Sequence, residues 1–199
     1  MKFSVLQENL SKSLNIVSKI VSSKPILPIL SNVLIEVNKG KVKLSATDLE
    51  IGINTWLTAD SEIDGKITVS AKTFAEYVNS LPEGRIEIEL IGTQLNVKSK
   101  TSSASFTTIP ADDFPPITEI KGKPIITLLP YLFKESIDKV VFSAAIDDAR
   151  PALTGVQFKS EGKDLLMVCV DGFRLSKNVL HLESHIEDFN PLVPAKALI

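Results

Sequence analysis

One cysteine, Cys169, stands in 199 residues. A lone thiol excludes an internal disulfide and any zinc site built on several cysteines, and it fits a cytoplasmic protein best. Aromatic residues make up only 6% of the chain, with a single tryptophan. They are not interleaved with the lysines, so a stacking platform for single-stranded nucleic acid is not expected. No excess of one charge exists: Lys and Arg total 22 and Asp and Glu total 24, a formal net charge of -2. That balance excludes a grossly basic nucleic-acid binder but leaves room for a local basic face. Long apolar runs are also missing. A stretch such as Ile125-Ile126-Thr127-Leu128-Leu129-Pro130 falls far short of the roughly 20 residues that span a bilayer. Met1-Lys2-Phe3-Ser4-Val5-Leu6 gives way to the polar Gln7-Glu8-Asn9, which leaves no secretory core. No membrane partner is expected. The glycine-rich phosphate loops and the G-x-S-x-G elbow of hydrolases are absent too.

The composition that remains is globular, with 44% hydrophobic and 23% charged residues. Its most informative feature is a long-period repeat. Phe3-Ser4-Val5-Leu6 matches Ile126-Thr127-Leu128-Leu129, 123 residues later. Without a gap, the same offset carries Leu10 to Phe133, Leu14 to Ile137, Val17 to Val140, Leu30 to Leu153, Val33 to Val156 and Asp48 to Asp171. With one residue more, Val69-Ser70-Ala71-Lys72 meets Val193-Pro194-Ala195-Lys196. A constant register over such a distance points to two copies of one module.

In the first copy, residues 2–6 read as a strand. Leu6, Leu10, Leu14, Val17 and Val21 form an apolar helical stripe, with Lys12 and Lys19 on the opposite face, and Pro25 and Pro28 are expected to stop the helix. Residues 32–37 and 41–46 flank Lys39-Gly40 as a hairpin, and residues 51–59 extend its sheet. Ser70 is a good N-cap for a second helix carrying Phe74, Tyr77, Val78 and Leu81. Three strands follow at 85–91, 94–100 and 103–109. The pattern is α+β. The first domain is expected over 1–122, with a linker at about 110–124, and the second over 123–199. Pro130 suits the first position of the second copy's helix. That copy stops near the start of its second helix, so the second module is expected to be incomplete.

Candidate chemistry is sparse. His181 and His185 have the spacing of a metal pair on a helix, but no helical pattern surrounds them, and they read as a solvated acidic segment. Cys169 lies in the apolar run 165–170 and reads as a buried structural thiol. Asp112-Asp113 and Asp147-Asp148 sit beside prolines and read as turns. Trp56 is expected on a strand. No catalytic residue, metal or cofactor is expected. Lys12, Lys19, Lys24 and Lys72 could form a diffuse phosphate-binding face, although most helices carry solvated lysines.

Several strings in order resemble one family. They are Met1-Lys2-Phe3, Lys24-Pro25-Ile26-Leu27-Pro28-Ile29-Leu30, Thr47-Asp48-Leu49-Glu50, Leu81-Pro82-Glu83-Gly84, Pro110-Ala111-Asp112-Asp113-Phe114-Pro115, Arg150-Pro151-Ala152-Leu153-Thr154-Gly155-Val156, Asp171-Gly172-Phe173-Arg174-Leu175 and Val193-Pro194-Ala195-Lys196. Together they resemble the bacterial DNA polymerase III beta subunits, the replicative sliding clamps. The resemblance covers the whole chain.

It implies repeated α+β clamp domains, each with two helices packed on antiparallel sheets. Three such domains are usual, so the third would be absent here. It implies a homodimeric ring around double-stranded DNA, gripping it without regard to sequence. It also implies an accessory role without catalytic activity in the polymerase holoenzyme. By this resemblance Lys24, Lys72 and Lys196 face DNA. Arg150, Leu153, Gly155, Val170, Gly172, Phe173, Arg174 and Leu175 form the wall of a pocket for short linear motifs of polymerase, clamp loader and repair proteins. Val170 stands where a threonine is usual, which implies a lost polar contact. Asp147-Asp148 occupies a loop that approaches DNA in relatives. Ala104 and Phe106 lie on the strand that forms a subunit interface. The alternatives are a two-module protein-interaction scaffold that never encircles DNA, and a metal-dependent enzyme using His181 and His185.

Overall fold

A computed structural model describes residues 1–199 except 22–24, 26, 119, 121, 148 and 149. The chain divides into two compact units, Met1–Glu119 and Ile120–Ile199.

The first unit runs β1 (Lys2–Leu6), α1 (Gln7–Val17), a 3-10 turn (Pro28–Ser31), β2 (Asn32–Asn38), β3 (Lys41–Thr47), β4 (Gly52–Thr58), β5 (Asp60–Ile63), β6 (Gly65–Ser70), α2 (Ala71–Ser80), β7 (Arg85–Ile91), β8 (Gln94–Lys98) and β9 (Ser103–Ile109). The strands pair antiparallel in the order β4-β3-β2-β6-β9-β8-β7-β1-β5. β9 joins the two halves. It pairs with β8 from Ser103 to Thr107 and with β6 only through Thr108 and Ile109. Leu10, Leu14 and Val17 of α1 and Phe74 and Val78 of α2 are fully buried against these strands. The apolar stripes hold both helices on the sheet and leave their polar faces outward. In the β2–β3 turn Lys39 and Gly40 both have positive φ, 47° and 79°. That is the twist a two-residue hairpin requires. The Asp64 carboxylate accepts the Lys39 amide at 3.1 Å.

The second unit comprises α3 (Pro130–Asp138), 3-10 turns at Val141–Ser143 and Pro151–Leu153, β10 (Gly155–Glu161), β11 (Asp164–Val170), β12 (Leu175–His181), β13 (Leu192–Pro194) and a 3-10 turn at Ala195–Ala197. Its sheet is ordered β12-β11-β10-β13. Its core gathers Ile137, Val140, Val156, Phe158, Leu165, Met167, Cys169 and Ile186. The repeat is visible in the bounds. Moved by 123 residues, β2, β3 and β4 become β10, β11 and β12 at both ends, and the first residue of α1 becomes Pro130.

The structure also departs from the sequence pattern. α1 ends at Val17, well before Pro25, and Leu6 belongs to β1, where it is exposed. The chain after Val17 tightens into i−3 bonds, Ile20 N to Val17 O (3.4 Å) and Val21 N to Ser18 O (3.3 Å), so it leaves the helix without a proline. Ser70 stands at the N-cap, but its hydroxyl meets Thr73 Oγ1 at 3.2 Å instead of capping the backbone. Residues 126–129 form no strand. Their counterpart β1 is held between β5 and β7. The expected linker is half structure: Ala111 and Phe114 are buried on the first unit. Among the described residues no helix is long and apolar enough to cross a membrane.

Candidate functional site: an arginine-braced turn and the helix lysines

The turn between β11 and β12 is built by Asp171. Its Oδ1 accepts the amides of Phe173 (2.9 Å) and Arg174 (3.0 Å), and its Oδ2 accepts Arg174 Nε at 2.9 Å. These donors hold the carboxyl below the usual aspartate range, the two backbone amides contributing most. Arg150 braces the turn from outside, donating through Nη2 to Asp171 O at 3.2 Å. Gly172 has φ +94°, and a Cβ there would lie 2.8 Å from Arg150 Nη1. Glycine therefore satisfies both the left-handed backbone and the close guanidinium.

This turn presents apolar side chains to solvent. Phe173 is 96% exposed and Leu175 65%. The Arg174 guanidinium lies 5.7 Å from the centroid of the Phe142 ring, itself largely exposed. Val170 pairs with Leu175 across the strands, half-buried. Leu153 closes the 3-10 turn that follows Arg150, its amide bonded to Arg150 O at 2.9 Å. The structure thus gathers Arg150, Leu153, Val170, Gly172, Phe173, Arg174 and Leu175 around one turn. Gly155 is set apart. It is buried in β10, where a Cβ would lie 2.9 Å from the Leu192 side chain and from Val193 O, so its role is to let β13 approach. A surface of this kind, apolar with fixed polar groups, suits an extended peptide.

Two members were missed in the sequence: Asp171, which makes the turn, and Phe142, which receives Arg174. Asp171 had a signal, since Asp48 repeats it. Asp48 Oδ1 accepts Glu50 N (3.1 Å) and Ile51 N (2.8 Å), and Leu49 has φ +79°, matching Gly172. Phe142 had none, because its exposure depends on the 3-10 turn that carries it.

Lys72 is the second residue of α2 and is exposed; Lys196 holds the matching place in the 3-10 turn Ala195–Ala197 and is exposed too. Lys12 and Lys19 are exposed outside the α1 core stripe. Lys24 and Asp148 lie outside the described residues, and Asp147 is exposed. α1 and α2 are tied side by side by Ser11 Oγ to Asn79 Oδ1 (2.7 Å) and Asn79 Nδ2 to Asn15 Oδ1 (2.9 Å). On β9, Ala104 and Phe106 are half-buried. The Phe106 ring meets Phe74 and Tyr77, each at 5.5 Å between centroids.

The remaining candidates resolve locally. Cys169 is buried, its thiol pushed up by desolvation, and it donates to Gly155 O at 3.4 Å. His181 ends β12 with Nδ1 2.6 Å from Asp164 Oδ1, and no helix joins it to His185. Asp112 pairs with Lys66 at 2.9 Å. Trp56 lies on β4, largely exposed.

Residues 1–118 match the family described as DNA polymerase III beta subunit, N-terminal domain, and residues 127–199 match its central domain. The chain is 36% identical over 201 residues to the beta sliding clamp of Salmonella typhimurium, covering 100% of this chain and 55% of that protein. Among solved structures, the beta chain of DNA polymerase III from Streptococcus pneumoniae aligns over 99% of this chain and 55% of its own, with a TM-score of 0.87 and 30% identity. A sliding clamp from Pseudomonas aeruginosa bound to griselimycin aligns over 100% of this chain and 55% of its own, with a TM-score of 0.86 and 31% identity. The chain spans about half the length of the curated relatives it matches. Two family domains, in order, on two units that repeat the same strands place this chain in the DNA polymerase III beta subunit family.

Proposed function

We propose that these residues supply the first domain and part of the second of a sliding clamp. The protein is a non-catalytic, cytoplasmic processivity factor. As a ring-shaped homodimer it encircles duplex DNA and tethers the replicative polymerase, the clamp loader and repair proteins by short linear motifs. The observation that carries this reading is the ordered match of two clamp domains to two units in one register. The chemistry agrees. A topological tether needs weak, sequence-blind phosphate contacts, which exposed lysines such as Lys72 and Lys196 provide without base readout. Lys24 is assigned the same role. The Asp171 turn, with Arg150, Phe173, Arg174 and Leu175, is the docking wall. The outer edge of β9, around Ala104 and Phe106, is the subunit interface.

The test uses the protein as its gene encodes it, loaded on nicked circular duplex. A Lys24→Glu/Lys72→Glu variant is expected to leave the circle at least tenfold faster, with an unchanged unfolding midpoint. If the unmodified protein is never retained on circular DNA yet still captures polymerase peptides, the scaffold reading replaces the clamp.

A further inference from the structure

The surface around the Asp171 turn has a counterpart in the first unit, and there it is covered. The repeat places Leu30 at the position of Leu153, Asp48 at that of Asp171, Leu49 at that of Gly172 and Gly52 at that of Leu175. In the second unit Leu175 is 65% exposed. In the first unit the corresponding residue has no side chain, and a Cβ built on Gly52 would lie 2.6 Å from Ile117 Cγ2. Ile117 thus fills the volume that Leu175 takes in the other unit. Three residues earlier, Phe114 is buried against Ile29 and Leu30, with Leu34 and Ile117 packed on the same cluster. The two anchors are separated by Pro115-Pro116, which stiffens the segment and lowers the entropy lost on docking. Upstream, Phe114 N bonds to Ala111 O at 3.1 Å and Asp112 pairs with Lys66.

We propose that residues 111–117 are a built-in ligand, closing in the first unit the counterpart of the docking surface that the second unit leaves open. With Phe114 and Ile117 in place the first unit admits no peptide. With both anchors removed, the first unit takes a short peptide with an aromatic residue and a branched aliphatic residue three apart. This deepens the docking reading proposed above and rests on it.

The probe is a labelled synthetic peptide of residues 110–118, titrated into the 199-residue chain carrying Arg150→Ala to silence the second unit. Tethering keeps the cis segment at millimolar effective concentration, so the chain with its own anchors is expected to bind the peptide at least tenfold more weakly than a Phe114→Ala/Ile117→Ala variant. A peptide with both anchors replaced by alanine should bind neither. Equal binding to both chains, or binding to neither, overturns the closure. Should the double variant not fold, Gly52→Leu decides the question with the core intact. Its side chain expels Ile117, and the Phe114 amide should exchange at least tenfold faster; unchanged exchange overturns the proposal. Failure of the docking reading looks different: polymerase peptides would then ignore the Asp171 turn while the 110–118 peptide still bound the anchor-free variant.

Discussion

Thr47 and Val170 occupy the same place in the two units and differ by one hydroxyl. Thr47 Oγ1 donates to Ile51 O at 2.8 Å and accepts the Leu49 amide at 3.0 Å. These two bonds hold the turn closed over Leu49, a non-glycine residue at φ +79°. Val170 offers neither bond, and its turn carries glycine at the strained position. Restoring the hydroxyl with Val170→Thr is expected to stabilise the second unit by about 1 kcal/mol, read as a rise in its thermal midpoint. Gly172→Ala alone is expected to cost about 1–2 kcal/mol through the positive φ, and measurably less in the Val170→Thr background, a coupling that a double-mutant cycle isolates. The Asp171 carboxyl carries a pH dependence with a definite sign. Its folded pKa lies below the unfolded value of about 3.9. Its stabilisation is therefore fully present above that value and is lost as pH falls through the lower, folded pKa. Amide shifts of Phe173 and Arg174, followed by NMR through an acid titration, should hold steady at pH 4 and move only below it. Movement centred above pH 4 would contradict this geometry.

At the level of elements, legibility followed periodicity and stopped where tertiary pairing decided. The hairpin β2–β3 was readable because alternation and turn residues fix a strand locally. The repeat then carried the reading from one unit to the other. β5 and β6 were not read from the sequence, which placed no strand between 59 and 70. Asp60-Ser61-Glu62-Ile63 has little alternation, and β5 exists because β1 pairs with it. The segment 126–129 repeats the apolar pattern of β1 but forms no strand. The surface around the Asp171 turn was legible as motif residues, not as geometry. Nothing in the order of residues says that Arg150 reaches Asp171 O or that Phe142 lies beside Arg174. The start of α1 shows a tertiary bond overriding propensity. Gln7 looks like an ordinary polar helix residue, yet it is buried and its Nε2 donates to Val78 O at 2.7 Å, pinning α1 to α2. Gln7→Met keeps length and apolar bulk but loses that bond. It is expected to destabilise the first unit by about 1–2 kcal/mol in urea unfolding. No change would mean that packing alone holds the two helices together.

For the whole molecule the proposed dimer poses the question of how one unit would meet another chain, and the outer edge of β9 is the surface to test. Thr108 N donates to Thr93 O on the β8 side. Backbone groups alternate along an antiparallel strand, so Phe106 and Ala104 also face β8, while Ser103, Ser105 and Thr107 turn their N–H and C=O the other way. β6 covers that other side only at Thr108 and Ile109. An unpaired edge is a template for a strand of another chain. The Phe106 ring packs on Phe74 and Tyr77 of the same unit, so the backbone of the strand is what its outer edge offers. Proline separates the two roles of the strand, because it removes a donor without adding charge. In the protein as its gene encodes it, Ser105→Pro removes an outward donor. It is expected to weaken the proposed dimer at least tenfold by sedimentation velocity while costing the fold little. Ala104→Pro removes a bond to β8 and should lower the unfolding midpoint of the first unit sharply. If Ser105→Pro leaves the proposed dimer intact, no partner strand pairs along this edge, and the proposed ring would have to close through other surfaces.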